Sequence, residues 1–135
     1  MKIFRPLLGI VLGYLTMAVT VRIAMTLGVV LLGADRVFDG LTGEQSNLWI
    51  GYTLALGVGA AFLGGIVATW WGGHTWAGYG LAAIVLVFGF LSMFAETSRA
   101  VPTITPRWLL AATPIAGLVG ALTGTSFISR RKSIK

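Results

Sequence analysis

LWIGYTLALGVGAAFLGGIVATWWGG, residues 48–73, holds no acid, no base and no histidine. Its 26 residues exceed the roughly 20 that a helix needs to cross a ~30 Å hydrocarbon core. Three similar runs accompany it. Residues 7–34 carry one charge, Arg22, and residues 75–95 and 108–129 carry none. Within lipid, backbone amides must be satisfied inside a helix or a closed barrel. The ten-residue apolar/polar alternation of barrel strands is absent. The expectation is an all-α, four-helix transmembrane bundle with helices at about residues 7–33, 49–71, 76–95 and 107–128. It fills a single membrane domain, 1–135, with no soluble domain.

The remaining segments read as connections. Residues 35–47 are polar and contain Gly40 and Gly43. Gly72, Gly73 and His74 form a tight turn, and Pro102 and Pro106 separate the last two spans. Pro114 removes one backbone bond inside the fourth span and is expected to kink it. Lys2 and Arg5 ahead of an apolar run resemble the start of a signal peptide. That run is too long, and no small-residue cleavage site follows, so it reads as an uncleaved first helix.

Composition narrows the chemistry. The chain is 56% apolar and 10% charged, with ten bases, four acids, one histidine and no cysteine, and its mean hydropathy is +0.89. Soluble domains carry roughly 25% charge. Without cysteine there are no disulfides, thiolate metal sites or haem attachment. A single histidine does not make a metal cage. The acids Asp35, Asp39, Glu44 and Glu96 all fall in or beside two loops on one side. No paired set for catalysis is visible, so the expectation is no enzyme, no metal and no cofactor.

Charge also orients the chain. Alternating helices place Lys2, Arg5, Arg130, Arg131, Lys132 and Lys135 on one side with no acid. Arg36, Arg99 and Arg107 lie with the four acids on the other. The positive-inside rule then puts both termini in the cytoplasm and the chain in the cell inner membrane. The tail Arg130, Arg131, Lys132 and Lys135 is expected to meet anionic lipid headgroups, at ~1 kcal/mol per charge, and not nucleic acid. Trp70, Trp71, Trp76 and Tyr79 flank the cytoplasmic turn, while Trp49, Tyr52 and Trp108 stand at the outer face. Such rings favour the headgroup level.

Small residues mark helix contacts, because helices in lipid associate by close backbone approach. Ala112, Ala116, Gly120 and Gly124 recur every four residues in the last span, beside Gly117, Ala121 and Thr125. The second span offers Gly64 and Gly65 after Ala60 and Ala61, with Gly57 and Gly59 a turn earlier. The first span has Gly9 and Gly13. Packing within the bundle is favoured over a seam between copies.

Arg22 resists a bland account. It lies 15 residues past Leu7, roughly 22 Å along a helix, in the outer half of the hydrocarbon. A charge there must be paired, wetted or snorkelled. Leu15, Ala18 and Thr26 share its face, whereas Gly9 and Gly13 point the other way. Glu96 is the favoured partner within the chain. Thr20 or Thr26, backbone, lipid phosphate or another subunit are alternatives.

Two transport families come near in size. Small multidrug resistance exporters carry a glutamate in helix one, where Arg22 has the wrong sign. Fluoride channels resemble the Gly120–Phe127 stretch, but their motif belongs to another helix. With Arg5-Pro6-Leu7-Leu8-Gly9, Leu63-Gly64-Gly65 and a small-residue fourth helix, the chain resembles small four-helix proteins of bacterial inner membranes. That resemblance implies a fold and a membrane location, and no activity. Two readings stay open. One is a non-catalytic accessory or structural subunit packed among other membrane subunits. The other is a homo-oligomeric channel or anion transporter using Arg22. The scarcity of polar groups in the spans favours the first.

Overall fold

Two glycines set the helix ends. Gly33 adopts φ 78° and Gly73 φ 72°, a region costly for side-chain-bearing residues. Their amides donate to Val29 O at 3.0 Å and Thr69 O at 3.1 Å, closing the last turns. The structure, a computed structural model, describes residues 3–37, 46–98 and 107–134, with backbone only for Ala34, Glu96, Thr97 and Arg107. Five helices follow in order: α1 Phe4–Leu32, α2 Ala34–Val37, α3 Asn47–Gly72, α4 Thr75–Thr97 and α5 Arg107–Ser133. No strand occurs among the described residues. The four long helices are apolar enough to cross a membrane.

The boundaries differ from the sequence expectation in instructive ways. Residues 34–37 form one helical turn where a loop is expected. It is tied to the start of α3, since Ser46 N donates to Val37 O at 2.9 Å and Ser46 Oγ to Arg36 O. Ser46 also caps α3 by accepting from Trp49 N at 3.3 Å. α5 runs through Pro114 and on to Ser133. Its basic last turn suits the negative end of the helix dipole. α1 begins at Phe4, with Pro6 in the first turn, where the missing N–H has no helical acceptor anyway.

Around the bundle the order is α1, α3, α5, α4. α3 packs on both α1 and α5, α4 packs on α5 and more lightly on α3 and α1, and the backbones of α1 and α5 do not approach closely. At one end Lys132 Nζ donates to Gly73 O at 3.3 Å, and Arg5 flanks the same glycine. The start of α1, the α3–α4 turn and the end of α5 therefore share one end. The core combines a cluster of alanines, Ala61, Ala82 and Ala121, with a second cluster of Ala68, Leu81 and Val85, and Met17 packs against both.

Candidate functional site

The helix seams account for most of the small residues read from the sequence. A Cβ on Gly9 would stand 2.6 Å from Ala68 O, and one on Gly13 2.7 Å from Gly64 O. On the far side of α3, a Cβ on Gly120 would strike Val58 O, and one on Gly124 would strike Phe62 O. Ala112 and Ala116 are half-buried two turns and one turn before Gly120. Gly120 and Gly124 thus form an internal seam against α3. Gly57 and Gly59 are different, because Cβ atoms there would meet nothing within 4 Å.

Several contacts lie outside the stripes read from the sequence. Gly78 of α4 receives the hydroxyls of Thr69 and Thr125, both fully buried and bonded to their own helices at 2.8 and 2.9 Å. Gly28 lies under the Tyr52 ring, and Gly89 under Pro114. The glycines of the third span were the available signal, but their spacing is not four, so no stripe stands out. Trp49 and Tyr52 pack within the bundle rather than projecting from it. Trp49 is 6% exposed and stacks on Tyr52 at 5.4 Å. The Tyr52 hydroxyl donates to Ala24 O at 2.6 Å. These amphipathic rings bury their bodies and satisfy the hydroxyl inside the bundle. Trp70, Trp71, Trp76, Tyr79 and Trp108 are exposed.

The basic end gathers residues distant in sequence. Besides Arg5 and Lys132 at Gly73, Arg131 lies 4.8 Å above the Phe127 ring. Arg130 is exposed there too. Exposed His74 places Nδ1 3.3 Å from Gly72 O. Lys2 and Lys135 lie outside the described residues.

Arg22 stands apart from all these seams. The bundle-facing side of α1 buries Pro6, Gly9, Ile10, Gly13 and Gly28. Arg22 is exposed on the opposite side with Leu15, Ala18 and Thr26. Its guanidinium makes no ion pair or hydrogen bond among the described residues. Neither threonine hydroxyl is turned to it: Thr26 Oγ1 donates to the Arg22 carbonyl at 2.9 Å, and Thr20 Oγ1 to Thr16 O at 2.7 Å. Glu96 falls in the last turns of α4, but its side chain lies outside the described residues.

In the half of the bundle away from the basic end, the helices part around a cavity of about 400 Å³. All four long helices line it, through residues such as Met25, Thr53, Gly57, Val85 and Leu109. Thr53 and Thr113 hydroxyls bond their own helices, at 2.9 Å to Ile50 O and 2.7 Å to Leu109 O. Among the described residues no charged side chain lines the space, and Arg22 is not among its walls. Its size and apolar character match ligand cavities between bundle helices. Compared with family models, curated proteins and solved structures, the chain matches none.

Proposed function

We propose that this protein is a non-catalytic integral subunit of the cell inner membrane that joins a larger complex through the outer face of α1. One observation carries this reading: Arg22 is exposed within an apolar helix, on the side opposite its glycine seam. It lies ten residues, about 15 Å, short of the end of α1 at Leu32. A guanidinium at that depth is costly unless a carboxylate or headgroup answers it. A neighbouring transmembrane helix with an acid at matching depth, presented to the face of Leu15, Ala18 and Thr26, supplies the answer. The clustered bases Arg5, Arg130, Arg131 and Lys132 support cytoplasmic termini. They also support contact with anionic headgroups.

Copurification from native membranes in mild detergent tests the proposal. Wild-type protein should retain a membrane partner bearing an acid within a span. Arg22→Leu should lose most of it, and Arg22→Lys should keep part, since Lys retains charge without the forked donors. Equal recovery with Arg22→Leu contradicts the reading.

A further inference from the structure

The cavity has a closed back and an open front. Trp49, Val85 and Leu109 are 6%, 8% and 5% exposed and form the back. Tyr14 of α1 and Phe88 of α4, 46% and 56% exposed, line the front, their rings in tilted contact at 6.5 Å between centroids. They flank the lightest of the seams between neighbouring long helices. Both sit near the middle of their helices, so the mouth they mark lies at hydrocarbon depth. Gly57 widens the space. Unlike Gly13, Gly64 or Gly120, no neighbouring backbone requires a glycine there, and a Cβ would enter open space.

We propose that this cavity holds the hydrocarbon chain of a membrane lipid, which enters sideways between α1 and α4. The walls supply what an alkyl chain needs: aliphatic side chains, the adaptable Met17 and Met25, and aromatic faces. Among the described residues no charged side chain lines it, so these walls suit an alkyl chain and offer a headgroup no counter-charge. About 400 Å³ lies in the range of small-ligand cavities, and the mouth at mid-span admits what the bilayer itself offers. The inference rests on the membrane placement proposed above and is independent of the partner at Arg22.

The test uses the full chain in phosphatidylcholine vesicles containing a phosphatidylcholine with a diazirine in mid-chain. After photolysis, adducts are mapped by peptide mass spectrometry. Bulk lipid reaches exposed Leu63 and Val119. Only a lipid chain inside the cavity reaches Trp49 and Leu109. Adducts on all four residues are expected. Gly57→Phe should cut labelling of Trp49 and Leu109 at least fivefold and leave Leu63 and Val119 unchanged. Gly59→Phe, on an open surface outside the cavity, should change none. Labelling of Leu63 and Val119 alone overturns the proposal while leaving membrane placement intact. Absence of labelling at all four overturns both. Undiminished labelling of Trp49 and Leu109 in Gly57→Phe also overturns it.

Discussion

Gly13 and Gly64 face each other backbone to backbone across the α1–α3 seam. A Cβ on Gly13 would stand 2.7 Å from Gly64 O, and one on Gly64 would stand 2.9 Å from Gly13 O. Neither helix can yield alone, since each approaches the other's backbone and not a movable side chain. The α3–α5 seam repeats the arrangement with Gly65 against Ala121, and Gly120 against Val58. α3 is thus held on two sides by contacts that only small residues permit, as expected where lipid supplies no hydrophobic drive.

Replacement of Gly120 by Leu should therefore cost ~3 kcal/mol or more, the upper range for overpacking, because backbone must move. Gly59→Leu, with open space around it, is the matched control and should leave stability nearly unchanged. Thermal unfolding in detergent separates the two. Equal melting temperatures would mean that the α3–α5 seam is not as described.

Tyr52→Phe removes a hydroxyl that bonds Ala24 O at 2.6 Å but keeps the ring over Gly28. The expected loss is about 0.6 kcal/mol, at most ~1.5, as for hydrogen bonds between membrane helices. Gly28→Ala should cost more. Its Cβ would stand 2.6 Å from Tyr52 Cε1 and push the whole ring aside. Chemical denaturation of the two variants checks the order.

Reporter fusions after Lys135 and within residues 38–45 should register opposite sides of the membrane, with Lys135 cytoplasmic. A periplasmic signal at Lys135 would reverse the orientation while leaving the bundle geometry unaffected.

The four long helices were legible in the sequence because apolar length is a strong local signal. The stripe Ala112, Ala116, Gly120 and Gly124 was legible because spacing by four places residues on one helix face. The inward orientation of Gly120 and Gly124 follows from their seam with α3. The placement of Trp49 was not legible. Its position near a helix start suits an interface anchor equally well, and only the tertiary contact with Tyr52 reveals it as core. Gly78 escaped for the same reason, as its significance lies in Thr69 and Thr125, 9 and 47 residues away. The cavity depends on how four helices diverge, which no single segment encodes. Arg22 was identifiable by charge alone, and its side of α1 by angle from Gly13.

Site-specific photocross-linking in native membranes tests most directly whether the Arg22 face docks on another protein. A photoreactive residue at Ala18, on that face, is compared with one at Val119, exposed on α5. The account predicts an adduct from Ala18 to a membrane protein with an acid at matching depth. The adduct should be absent from Val119 and lost with Arg22→Leu. It should return when Arg22→Glu is combined with a basic replacement of the partner's acid. Cross-linking from Ala18 that is unaffected by Arg22→Leu, or to lipid alone, would contradict it.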